Sequence, residues 1–129
     1  MSNQRLYTVE EANKSLPLIR RIVQDIIETW QKMDHLVSVG GELALDSKEF
    51  GKLKANLAES FDELQDLGVE FKDWNFEVGL IDFPAVLNGK EVYLCWKTGE
   101  ESVSHFHGME ETFNCRKKIP KDLQCPSKN

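Results

Sequence analysis

The chemistry-bearing residues of this chain crowd into its second half, where Asp82, Cys95, His105 and His107 are all able to bind a metal or carry a proton. The Asn88-Gly89 pair tells which of them meet. Flanked by apolar runs, Asn-Gly is a strong hairpin signal, because both residues accept the positive φ of a type I′ turn. With these two at the tip, Leu87 faces Lys90, Phe83 faces Leu94, Ile81 faces Trp96 and Asp82 faces Cys95. Side chains alternate between the faces of a strand. One face therefore carries Ile81, Phe83, Ala85, Leu87, Val92, Leu94 and Trp96, an apolar set that reads as core. The other carries Asp82, Pro84, Val86, Glu91, Tyr93, Cys95 and Lys97. That mixed face is either the wet side of an antiparallel sheet, the ordinary case, or a site.

His105 and His107 share a face if they lie on a strand, so both are candidate metal ligands with Asp82 and Cys95. If His107 falls on the Asp82 face, Asp82, Cys95 and His107 form a three-ligand set with room for Glu100 or water. That is the open arrangement of a catalytic zinc. A one-residue slip would turn His107 into the core and dissolve the site. The plainer alternatives are an ordinary strand histidine and a half-buried strand cysteine. As a nucleophile Cys95 is poor, since a facing carboxylate raises a thiol's pKa. Glu100 and Arg116 read as a salt bridge across the sheet edge. The order Gly99-x5-His105-x-His107-x3-Glu111 is similar to the first metal motif of the cupins, but too little strand-rich sequence remains for a double-stranded barrel and its second motif. No phosphate loop, nucleophile elbow or dinucleotide fingerprint is present.

The elements that must hold these residues begin with helices. Thr8 and Glu11 fit a capping box. Val9, Ala12, Leu16, Ile19, Val23, Ile26, Trp30, Met33 and Val37 then recur at steps of three and four, a heptad-like seam. Pro17 predicts a kink or a short lead-in helix. Leu18, Ile22, Ile27 and Leu36 widen the stripe beyond what one neighbour covers. Gly40-Gly41 ends this helix. A second starts near Asp46 or Ser47 and ends at Leu67, with Gly68 as terminator. Strands are expected at 69–71, 78–85, 91–97 and 102–107, with residues 113–119 a short helix or loop and 120–129 a loose tail. The fold class is α+β: an N-terminal antiparallel helical hairpin, about 8–67, packed on a small antiparallel meander, about 69–107, followed by a C-terminal short helix or tail, 108–129.

At 129 residues the chain is one domain, 1–129. Its net charge of −6 disfavours nucleic acid and anionic membrane as partners. The Arg116-Lys117-Lys118 run is too small to reverse this. No apolar run reaches membrane-spanning length. Cys95, Cys115 and Cys125 form no CxxC pair, and no apolar signal segment opens the chain, which points to reduced thiols in a cytoplasm.

The chain also resembles domain-of-unknown-function family 2203, a group of small prokaryotic proteins. The resemblance runs through Tyr7 to Ala12, Leu16-Pro17, Leu67-Gly68-Val69 and Lys72-Asp73. Gly79 to Ala85 and Val92 to Trp96 carry it most specifically, and Gly99-Glu100, His107 and Arg116 complete it. The family pattern has Gly-Arg where this chain has Cys115-Arg116, and a proline near Lys118 or Pro120. The resemblance implies no activity, but it marks Asp82, Cys95, Trp96, Glu100, His107 and Arg116 as a joint functional surface.

Two functions are therefore expected, in order. The first is a non-enzymatic interaction or accessory protein that self-associates through its helical hairpin, most simply as a homodimer, or docks another protein, with no cofactor. The second is a small metal-dependent enzyme or metal sensor, using zinc or another divalent transition metal on the polar face of the sheet.

Overall fold

The computed structural model describes residues 5–72 and 78–120. Thr8 caps the first helix, α1 (Val9–Gly40), through the capping box the sequence predicts: its side chain accepts from the Glu11 N–H while Glu11 accepts from the Thr8 N–H. The helix continues unbroken through Pro17, so the missing proline donor does not split off a lead-in helix. A short 3-10 helix, Gly41–Asp46, turns the chain. Ser47 then caps α2 (Lys48–Leu67) by accepting from the Phe50 N–H, and Gly68 closes it at φ 78°, the left-handed conformation open to glycine.

Among the described residues five antiparallel strands follow in simple meander order: β1 (Glu70–Phe71), β2 (Leu80–Leu87), β3 (Lys90–Lys97), β4 (His105–Gly108) and β5 (Lys117–Lys118). The class is α+β, as expected. Asn88 and Gly89 sit at φ 56° and 81°, which sets the predicted register. Leu87 pairs with Lys90, Phe83 with Leu94, Ile81 with Trp96 and Asp82 with Cys95. The expected fourth strand is shorter than read, starting at His105. The segment read as a short helix or loop splits into a single 3-10 turn, Phe113–Cys115, and strand β5 on the edge of β4. Lys117 and Lys118 carry no apolar alternation, so nothing in the sequence announces that strand. Of the tail 120–129, all but Pro120 lies outside the described residues.

The core fills the space between α1 and one sheet face. Ile19, Ile26, Ile81, Phe83 and Leu94 have no exposed surface. Tyr7 tethers the chain's start to the sheet by its N–H to Pro84 O (2.7 Å), and to the end of α2 by its hydroxyl to Leu67 O (2.6 Å). Two readings of α1 change. Ile22, counted among residues too many for one neighbour to cover, is buried within the chain's own core. Trp30, a member of the seam, is only half-buried. Asn13 fixes the approach to β4: its Oδ1 accepts from the Val103 N–H at 2.7 Å, and its Nδ2 donates to Val103 O at 3.3 Å. A side-chain amide on α1 thus does the work of a strand neighbour for the loop leading to His105 and His107. No helix among the described residues is long and apolar enough to cross a membrane.

Candidate metal centre

The mixed face of the sheet is not wet at its centre. Asp82, Cys95 and His107 are all buried there, with 4%, 0% and 3% of their surfaces exposed. The ordinary solvent-face reading fails for these three. Their burial comes partly from the chain after β4, whose Met109, Glu111 and Thr112 wall a cleft over the same face together with Lys72, Leu80 and Tyr93.

Strand register explains the gathering. Asp82 pairs with Cys95 and Cys95 with His105, while Tyr93 pairs with His107. Directly paired residues share a face, so His107 falls on the Asp82 side. It then leans two residues along the strands to place Nε2 at 3.1 and 3.0 Å from the Asp82 carboxylate oxygens. One ligand atom from each of Asp82, Cys95 and His107 lies within 4.8 Å of the others. A tetrahedral zinc with bonds of 2.0 to 2.3 Å needs ligand atoms roughly 3.3–3.7 Å apart, a spacing that modest side-chain movements would reach.

The hydrogen bonds of His107 define its protons. Nδ1 lies 2.9 Å from Gly108 O, and a carbonyl only accepts, so Nδ1 carries hydrogen. Nε2 faces two carboxylate oxygens, so one further proton is shared between His107 and Asp82. Burial pushes the Asp82 carboxyl above its ordinary range, while His107 draws it down. The Cys95 thiol is pushed up to about 12, first by burial and then by the Asp82 charge, with Arg116 opposing. Without a metal the centre is therefore neutral: a thiol and an Asp82–His107 pair holding one shared proton. A divalent ion held by Asp82, Cys95 and His107 would face a thiolate, a carboxylate and a neutral imidazole, whose two negative charges would balance its two positive ones, as a buried site requires. The Nδ1–H to Gly108 O bond is also the orienting contact that metal-binding histidines make through their second nitrogen.

The remaining predicted residues divide around this set. His105 shares the face but stands outside it, with Nδ1 3.2 Å from Ser104 Oγ and 3.9 Å from Glu100 Oε2. Burial and the Arg116 charge lower its pKa. Trp96 does not join: it lies on the core face, 1% exposed, with its indole N–H donating to Glu100 O at 2.9 Å. Glu100 and Arg116 form the expected salt bridge, through Nη1 to Oε1 at 3.1 Å and a closer Nη2 to Oε2 contact. Burial works against the Glu100 charge, but Arg116 and the Lys97 N–H outweigh it and hold the carboxyl below its ordinary range. Arg116 Nη1 also reaches Cys95 Sγ at 3.9 Å.

Sequence reading passed over the acid–base chain at the cleft's other end. Tyr93 donates to Glu70 Oε2 at 3.1 Å, and Lys72 Nζ is 2.9 Å from Glu70 Oε1. Position in the hairpin put Tyr93 on the right face, but nothing in the sequence placed β1, which carries Glu70, beside it.

Comparison with known proteins identifies a family. The sequence model of the family described as Uncharacterized conserved protein (DUF2203) matches residues 5–119, a span that includes every residue of the centre. No curated protein and no solved structure matches the chain.

Proposed function

The chain belongs to the DUF2203 family, and we propose that it is a divalent-metal protein whose centre is Asp82, Cys95 and His107. The observation that carries this reading is the convergence of three buried ligand atoms, one from each residue, within 4.8 Å of one another. Zinc suits the set best, since it accepts thiolate, imidazole and carboxylate together. Structural zinc sites are closed by four protein ligands. Here three protein ligands leave a position facing a cleft of about 390 Å³, so the reading is that of a reactive centre rather than a structural staple. The metal would activate a bound water or polarise a bound oxygen. Asp82, Cys95 and His107 would hold it, and Gly108 O would keep the His107 ring in place.

Cysteine chemistry without a metal fits less well. A buried thiol with a pKa near 12 has almost no thiolate at neutral pH, and His107 spends its Nε2 on Asp82 rather than on the sulfur. The test is elemental analysis of protein purified without added metal, followed by zinc titration calorimetry of the stripped protein. About one equivalent, lost in Cys95→Ser and His107→Ala, is expected. Equal zinc uptake by these variants sinks the assignment.

Self-association is the second reading, and a different observation favours it. At the tip of the helical hairpin Val39, Leu43 and Leu45 are 73%, 83% and 50% exposed. These side chains are near neighbours in sequence, and a second copy would cover them.

A further inference from the structure

We propose that Arg116, held by Glu100, is the positioning residue for the metal-bound Cys95 thiolate. This rests on the metal reading above and adds the group that fixes the sulfur. A thiolate with no exposed surface needs a directed donor, and Arg116 Nη1, 3.9 Å from Cys95 Sγ, supplies one.

The guanidinium is anchored, not draped. Glu100 grips two of its nitrogens, and Glu100 is itself locked. Its Oε1 accepts from the Lys97 N–H at 2.9 Å, and its carbonyl oxygen accepts from Trp96 Nε1 at 2.9 Å. From α1, Arg20 Nη2 donates to the same carbonyl at 3.3 Å and to Glu101 O at 2.7 Å. The core indole and the first helix thus fix the turn that fixes the arginine. This gives Trp96 and Glu100 a structural reason to accompany the centre although neither is among its ligand atoms.

Location separates this role from substrate binding. The cleft beside the centre is walled by Lys72, Tyr93, Met109, Glu111 and Thr112, and neither Arg116 nor Glu100 lines it. Arg116 therefore approaches the sulfur without occupying the open coordination position. The charges agree. A centre made neutral by a divalent ion gains no net charge from an Arg–Glu pair, so the pair contributes a directed N–H donor rather than bulk positive potential. Such outer contacts change metal affinity about 10- to 100-fold when removed.

Cobalt(II) is the probe, because its bond to a thiolate gives a near-ultraviolet charge-transfer band that reports on the sulfur. Stripped wild type, Arg116→Gln, Arg116→Lys and Glu100→Gln are titrated with cobalt and followed by absorbance, with far-ultraviolet circular dichroism as a check on folding. Arg116→Gln is expected to bind about 10- to 100-fold more weakly and to move the band to longer wavelength, since an undonated sulfur gives up its electron more easily. Arg116→Lys should recover part of both effects, and Glu100→Gln, which loosens the arginine without removing it, should give a smaller shift. Wild-type affinity and an unmoved band in a folded Arg116→Gln protein overturn the role of Arg116 while leaving the metal site standing. Failure of the wild type to bind cobalt or zinc overturns both. If Arg116→Gln does not fold, Glu100→Gln decides: an unshifted band there overturns the proposal.

Discussion

Asp82 on β2 and His107 on β4 meet across the intervening strand β3, with Nε2 3.0 and 3.1 Å from the two carboxylate oxygens. Next-nearest strands stand roughly 10 Å apart, so the contact needs a long ring leaning over β3 toward a short acid. Cys95 on β3, paired with Asp82, completes the triangle. Three neighbouring strands thus each carry one residue of the set.

Metal binding to this triangle should stabilise the fold, because the site draws together three strands that separate on unfolding. At free zinc near 100 times Kd the expected gain is about 2.7 kcal/mol. Thermal melts of stripped protein with and without zinc check it. The rise in Tm should vanish in Asp82→Asn and His107→Ala, and an equal rise in both variants would place the zinc elsewhere.

The two described cysteines should react differently in the metal-free protein. Cys95 is buried and its thiol is pushed up to about 12, whereas Cys115 is exposed. Alkylation at about pH 8 under native conditions should therefore modify Cys115 and leave Cys95 intact until denaturant is added. Peptide mass spectrometry reads the outcome, and prompt native labelling of Cys95 would contradict its burial.

Glu100 makes stability depend on acid. Its carboxyl is held below its ordinary range, the contacts from Arg116 and Lys97 outweighing burial. A carboxylate with a lowered folded pKa contributes stability above its unfolded value and loses it as pH falls through the folded one. Between about pH 6 and pH 3 the denaturation midpoint of the wild type should fall more steeply than that of Glu100→Gln. Parallel curves would mean that the pair contributes nothing.

Much of this was legible in the sequence, for physical reasons that differ by residue. Asn88-Gly89 dictates a turn by local sterics, so the register and the Asp82–Cys95 pair follow without tertiary information. Thr8, Ser47 and Gly68 cap helices through their own side chains or backbone freedom. What could not be read depends on contacts distant in sequence. Sequence alone does not fix the face of His107, because the turn from β3 to β4 has no Asn-Gly marker and Asn13 on α1 holds that loop from 90 residues away. Trp96 belongs to the same motif as Cys95, but period-two alternation alone puts it in the core, where it lies. The arginine's reach to Cys95 depends on β5, a two-residue edge strand with no apolar signature.

Gly79 precedes β2 at φ 76°, and a Cβ there would lie 2.5 Å from Val23 Cγ1 and 2.6 Å from Thr98 Oγ1. Val23 has no room to give, since it is buried in the core, whereas Thr98 is exposed and can turn aside. Gly79→Ala combines unfavourable backbone with overpacking and should cost about 2–4 kcal/mol. Urea denaturation measures this, and a midpoint equal to wild type would show that α1 yields more easily than its packing implies.

The hairpin tip tests the self-association reading. Val39, Leu43 and Leu45 lie where α1 passes into the 3-10 helix, and all three are at least half exposed. A second copy meeting this tip through a two-fold axis would bury the same side chains from both chains, the self-complementary arrangement that closed dimers use. Scattered exposed leucines are normal in monomers, so mass in solution decides. Light scattering at high micromolar concentration should give twice the 14.8 kDa of one chain. Leu43→Glu with Leu45→Glu should return it to one, with cobalt binding unchanged because the tip lies outside the metal centre. A monomer in the wild type would remove the tip as a contact surface and leave those leucines as ordinary exposed apolar residues.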